Sequence, residues 1–259
     1  MGLQSLYPLV GLMVGLIVGL TGVGGGSLMT PLLVFVFKVP VELAVGTDLL
    51  FASLTKIVGV TSHSARGNVN WRIVGALAAG SLPASIATIA GMGYLKAHDK
   101  PLDDLVLPVL GFSLVATAAA VLMRRRILAA GGGRYALSEA GSARVTVLVG
   151  LVLGVLVTLT SVGAGAIGVA ALLLLYPALR PAAVVGTDLA HAIPLVTVAG
   201  LGHLQLGNVD YRLLLGLLAG SIPGIYVGST VSARIPEVLM RRILACVLLV
   251  MGIACVVGS

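Results

Sequence analysis

From end to end the chain reads as apolar runs separated by short polar stretches. Each run approaches the roughly 17 to 25 residues that carry an α-helix across about 30 Å of hydrocarbon. The runs are continuous and do not alternate, which excludes the strand pattern of a membrane barrel. The pattern predicts six uninterrupted helices, at 41–65, 72–95, 104–123, 182–205, 212–233 and 238–257, and two glycine-broken segments, 8–37 and 145–176. Residues 8–20 carry neither a basic leader nor a cleavage site followed by polar sequence, so they are read as retained structure.

The same series occurs twice. Gly46-Thr47-Asp48-Leu49 returns as Gly186-Thr187-Asp188-Leu189, a shift of 140 residues. Gly67-Asn68-Val69-Asn70-Trp71-Arg72 returns at the same shift as Gly207-Asn208-Val209-Asp210-Tyr211-Arg212, and Ala79-Gly80-Ser81-Leu82-Pro83 as Ala219-Gly220-Ser221-Ile222-Pro223. His63 falls on His203. Thr21-Gly22-Val23-Gly24-Gly25-Gly26 matches Thr160-Ser161-Val162-Gly163-Ala164-Gly165 at a shift of 139. The chain therefore divides into a first transmembrane repeat, 1–123, a basic linker, 124–144, and a second repeat, 145–259. Each repeat holds one broken segment with a half-helix and three spanning helices.

Residues 27–37 supply only about 17 Å of helix at 1.5 Å per residue, too short to span. If each broken segment crosses, the two units are parallel. If it returns to its starting side, they are inverted. Loop charges separate the two arrangements. In the parallel one, eight basic residues face seven. In the inverted one, Arg66, Arg72, Arg124, Arg125, Arg126, Arg134, Arg144, Arg180, Arg234, Arg241 and Arg242 share one side, and Lys38, Lys96, Lys100 and Arg212 the other. Eleven against four is the bias that positive-inside topology produces. The expectation is an all-α polytopic protein of inverted repeats, with the linker in the cytoplasm and both ends outside.

Composition agrees. Of 259 residues 58% are hydrophobic and 10% charged, with a mean hydropathy of +1.13, against about a quarter charged in soluble domains. The net charge of +7 sits in loops as a topology signal and implies no nucleic acid. Cys246 and Cys255, nine residues apart on one helix, face different sides and cannot pair. No thiol function is assigned.

Gly24, Gly25, Gly26, Gly163 and Gly165 interrupt apolar sequence, where freed backbone groups must line a cavity or be buried in protein. A half-helix starting near Ser27 would turn its N–H groups and positive dipole end toward the membrane centre, a setting for an anion. The alternative role for glycine is close helix packing, and that reading goes to Gly11, Gly15 and Gly19 and to Gly216, Gly220, Gly224 and Gly228, spaced four apart as in small-residue packing faces. Asp48 and Asp188, each behind a threonine, Thr47 and Thr187, are costly in a membrane and hence candidate proton carriers, or else helix caps. Lys56, two turns beyond Asp48, matches Val196 in the second unit. It is a candidate anion group or partner of Asp48, or a residue snorkelling from a helix end. His63 and His203 are candidate proton or hydrogen-bond groups rather than metal ligands, and His191, matching Phe51, receives no role. Trp71 and Tyr211 read as interface anchors. No cofactor is implied.

At these blocks the chain resembles the TauE/SafE family of sulfite exporter-like permeases, grouped with toluene sulfonate uptake permeases. The carrying residues are Gly22-Val23-Gly24-Gly25-Gly26 with Pro31, Gly46-Thr47-Asp48, and Gly67-Asn68-Val69-Asn70-Trp71 leading to Gly80-Ser81-Leu82-Pro83, repeated in the second half. The resemblance implies a permease of the bacterial-type inner membrane moving sulfite, sulfoacetate or another organosulfonate. The second unit has Ala164 and Ala166 where the first has Gly25 and Ser27, so its half-site is expected to bind less tightly or to serve only as structure. The expected activity is alternating-access secondary transport of a small anion, with protons as a coupling ion. The alternatives are a passive anion channel and an intramembrane aspartyl protease. Against the protease, each acid sits in Gly-Thr-Asp rather than Gly-x-Gly-Asp, and duplication of the unit suits transport better than catalysis.

Overall fold

The computed structural model of the chain describes residues 6–21, 26–65, 67–100, 102–129, 139–232 and 237–257. Among them lie ten helices and no strands: α1 (Tyr7–Thr21), α2 (Gly26–Phe35), α3 (Val41–Ala65), α4 (Trp71–Ala97), α5 (Asp103–Ala129), α6 (Glu139–Thr160), α7 (Ala166–Leu175), α8 (Pro181–Gln205), α9 (Tyr211–Ser232) and α10 (Glu237–Val257). Five of the described helices, α4, α5, α6, α8 and α9, are long and apolar enough to cross a membrane. The expected helices match to within about two residues except around the linker. There α5 runs on to Ala129 and α6 already begins at Glu139, because Arg, Leu, Met, Ala and Glu are good helix formers that continue a helix past the apolar run.

The repeated Gly-Asn-Val-Asn/Asp block is a turn followed by a helix cap. Gly67 and Gly207 take φ of 65° and 77°, which glycine adopts without a steric penalty. Asn70 Oδ1 then accepts from Ile73 N at 3.3 Å, and Asp210 Oδ1 from Arg212 N and Leu213 N at 2.8 and 3.1 Å. These bonds satisfy orphan donors at the starts of α4 and α9. Trp71 and Tyr211, the first helical residues, are exposed as anchors would be.

Glycines join α1 to α9 and α4 to α6. α1 lies along α9 with Gly11 against the carbonyl of Leu217 and Gly15 against that of Ser221, while Gly220, Gly224 and Gly228 receive the carbonyls of Pro8, Leu12 and Leu16. α6 lies along α4 in the same way, through Gly80 on Val147, Gly150 on Leu77 and Gly154 on Ser81. In the sequence repeat α6 matches α1 and α4 matches α9, so the two glycine contacts join matching pairs of helices. Backbone oxygens occupy the space a Cβ would need. Gly220→Ala is therefore expected to destabilise by about 1–3 kcal/mol, as overpacking does. Gly75→Ala, whose Cβ would meet nothing within 4 Å, should leave the melting of the detergent-purified protein unchanged.

Contact registers give the helix directions. α3 and α8 run antiparallel: Gly46 lies against His203, Leu50 against Gly200, and Ser53 Oγ is 2.7 Å from Thr197 Oγ1. α4 runs parallel to α8, with Asn70 beside Thr187, Ser81 beside His191 and Ile89 beside Gly202, and parallel to α6 by the glycine contacts above. α6 and α8 are thus parallel to each other, and the chain between them must double back. It does so at 161–165: Gly163 approaches Val157, Gly168 approaches Leu153, and Tyr176 Oη reaches Thr146 Oγ1 at 2.7 Å. The core between α3 and α8 is apolar, built by Val45, Leu49 and Ala52 with Leu195, Val196 and Ala199. Cys246 is exposed and Cys255 buried, on different sides of α10.

Candidate functional site

Asp48 and Asp188 lie inside α3 and α8, each seven residues past the helix start. Neither caps a helix, because the helices begin earlier, after Pro40 and at Pro181. Asp48 is fully buried. Thr30 of α2 donates to its Oδ2 at 2.6 Å, and its Oδ1 has no partner. Ser161, from the second break, lies beside this carboxyl, and its hydroxyl is unpaired too. Asp188 is 2% exposed. Its Oδ1, also unpaired, presses on Gly168 of α7, where any larger residue would collide with it.

Lys56 ties these parts together. It does not snorkel: the side chain is 6% exposed, and Nζ points to the carbonyl of Ala164 in the second break at 3.5 Å. Its charge acts on both Asp188 and Asp48. The reason is geometric, since α3 is pressed against α8 at Ser53 and Thr197, one turn before Lys56. One turn from Asp188, His191 is wholly buried, with Nε2 2.8 Å from Ser81 Oγ of α4 and Nδ1 unpaired. Three unpaired polar atoms, Asp48 Oδ1, Asp188 Oδ1 and His191 Nδ1, thus belong to side chains on which the charge of one buried cation acts. Each orphaned buried group costs about 1–3 kcal/mol, a cost retained where a ligand or a proton is to be received.

The other candidates are placed differently. Thr47 Oγ1 accepts from Asp210 N at 3.1 Å and Thr187 Oγ1 from Asn70 N at 2.9 Å, reciprocal ties from one unit to the helix start of the other. His203 is buried with Nε2 on the carbonyl oxygen of Thr158 at 2.9 Å, near the opposite end of α8 from Asp188. Gly163 and Gly165 take φ of 118° and 124°, so only glycine suits these turns of the break. Gly26 opens α2 and Ser27 follows within it. Gly24, Gly25 and the side chains of Ser27 and His63 lie outside the described residues.

The sequence assigns no role in the site to Thr30, Ser81, Ser161 or His191. A signal existed for His191: the repeat sets a histidine opposite Phe51, a polar exception at an otherwise apolar position. An open pocket of about 410 Å³, lined by Gly67, Asn70, Trp71, Leu179, Arg180 and Ala183, lies at the start of α8, where Asn70 N also donates to Thr187 Oγ1.

The family description "Sulfite exporter TauE/SafE" matches residues 7–255. Among curated proteins, the chain is 38% identical over 247 residues to a probable membrane transporter protein, YjnA, of Bacillus subtilis (strain 168), covering 95% of this chain and 96% of that one. It is 27% identical to another, YdhB, of the same organism, over 91% and 93% of the two chains. A probable membrane transporter protein of Methanocaldococcus jannaschii is 28% identical over 97% and 94%. No solved structure matches. With its glycine breaks, its duplicated blocks and a family match from end to end, this chain belongs to the sulfite exporter TauE/SafE family.

Proposed function

We propose that the protein is a secondary transporter of a small anion (sulfite, sulfoacetate or another organosulfonate) working by alternating access in a bacterial-type inner membrane. The observation that carries this reading is Lys56, a cation buried within the bundle between Asp48 and Asp188 and against the carbonyl of the second break. Ionisable side chains inside a membrane protein are expensive and mark transport pathways. The curated relatives' names, all probable membrane transporter proteins, point the same way.

Alternating access is supported by the helix directions. The antiparallel α3 and α8, together with the return of the α6–α7 segment to its starting end, suit two units related by an axis in the membrane plane. With that arrangement the eleven-to-four charge split puts the linker in the cytoplasm. In the protease reading, two carboxyls must face one another over a shared proton. Here one carboxyl is held by Thr30 and the other is set on Gly168, with Lys56 acting on both.

Reconstituted protein should show saturable uptake of sulfite or an organosulfonate, and unlabelled substrate inside the vesicles should accelerate entry of labelled substrate. Uptake without such counterflow would mean a channel. Absence of uptake across a panel of sulfite, sulfoacetate, taurine and an aromatic sulfonate would remove the anion assignment.

A further inference from the structure

Duplication has given the site two acids but only one lysine. Lys56 has no cationic counterpart, since the repeat places Val196 there, whereas Asp48 is matched by Asp188. These three are the buried Asp, Glu, Lys and Arg side chains among the described residues. The groups around them, Thr30 on α2, Ser161 and Ala164 in the second break, Ser53 and Thr197 between α3 and α8, and Ser81 on α4, are all uncharged. Among the described residues the remaining titratable group beside them is His191, whose Nε2 is engaged with Ser81. It is counted as a neutral ring, because a second cation beside Lys56 without water between them is repelled by Coulomb's law.

Unbalanced charge is the most expensive thing to hold in such a place, so each state of the cycle stays close to neutral. In the empty site, the ammonium of Lys56 is balanced by one carboxylate while the other acid keeps its proton. Arrival of a singly charged anion leaves one negative charge too many. The balance returns when the remaining carboxylate takes a proton from water, and an atom is free to receive it in either acid: Oδ1 of Asp48 and Oδ1 of Asp188 are the unpaired oxygens. The resulting O–H is a donor that the bound anion can accept from, beside the ammonium. A doubly charged anion cannot be balanced in this way, since with both acids protonated the site still carries one negative charge.

Resting on the anion-transport reading above, we propose that this site takes one monoanion together with one proton, so that the loaded and the empty carrier both cross without net charge. The substrate class narrows accordingly to singly charged oxyanions, such as hydrogensulfite and monosulfonates. Sulfoacetate carrying both its charges is disfavoured.

The test uses the full chain in liposomes with methanesulfonate as the monoanion and methanedisulfonate as the dianion. With the membrane potential clamped, an imposed pH difference should drive methanesulfonate accumulation of about tenfold per pH unit, since one proton accompanies each anion. At equal pH, an imposed potential should move none, and methanedisulfonate should inhibit at least tenfold more weakly than methanesulfonate. Flux that follows the potential, or equal inhibition by the dianion, would overturn the stoichiometry. In that event methanesulfonate counterflow would still be observed and the transporter reading would stand. Absence of counterflow for methanesulfonate and hydrogensulfite alike would instead remove both.

Discussion

Lys56→Gln is expected to abolish saturable anion uptake while the protein still purifies as a folded species. Glutamine keeps most of the side chain's length and its ability to donate to the carbonyl of Ala164, so the packing of α3 on α8 is retained. What disappears is the only buried cation facing Asp48 and Asp188 among the described residues. Truncating one partner of a buried, hydrogen-bonded charge pair costs about 2–5 kcal/mol, so substrate affinity should fall by about 30-fold or more. Radiolabelled uptake and direct binding in detergent both read this loss. Lys56→Arg separates charge from shape: it keeps the positive charge but replaces a compact ammonium with a wide planar fork, and should recover binding only in part. Wild-type uptake with an unchanged KM in Lys56→Gln would remove the lysine from the mechanism.

The double substitution Asp48→Asn with Asp188→Asn should change what drives transport rather than whether it occurs. Asparagine preserves an acceptor for Thr30 and fits beside Gly168 nearly as aspartate does, but it cannot take a proton. Lys56 is then unbalanced in the empty site and balanced when an anion is bound, so each turnover carries charge. A membrane potential, worth about 2.3 kcal/mol per elementary charge per 100 mV, should drive the double variant, and an imposed pH difference should not. Each single variant retains one titratable carboxyl, which is enough to balance the incoming anion, and should keep its response to pH. An unaltered pH response in the double variant would show that neither acid carries the proton.

Much of the fold was legible because membrane helices announce themselves by length, and because a duplicated chain offers an internal comparison. The helices predicted at 41–65 and 182–205 coincide with α3 and α8 almost residue for residue. The extension of α5 and α6 into the linker was not legible, since hydropathy marks where a helix leaves the lipid and says nothing of where it stops. The glycines divided as their spacing suggested: those four apart pack α1 on α9, and the pair at 163 and 165 turns the chain back.

The site was less legible, for a specific reason. Ala164 in place of Gly25 suggested a weaker second half-site, yet what the second break offers Lys56 is the backbone carbonyl of residue 164, which no side-chain comparison reveals. Lys56 itself looked like a residue near a helix end. Only the packing of α3 against α8 decides that its ammonium turns inward.

The seating of α1 on α9 bears on how the protein is made. During synthesis Gly11 leaves the ribosome about 200 residues ahead of the Leu217 carbonyl that it finally touches. At about 5–20 residues per second, that is an interval of roughly 10–40 s. Throughout it the glycine face of the 15-residue helix α1, cut to fit another backbone, lacks that partner and must be sheltered by lipid or by the insertion machinery. Final assembly therefore waits until α9 has been made, and a chain truncated before α9 would present to quality control an apolar glycine face of α1 that nothing covers.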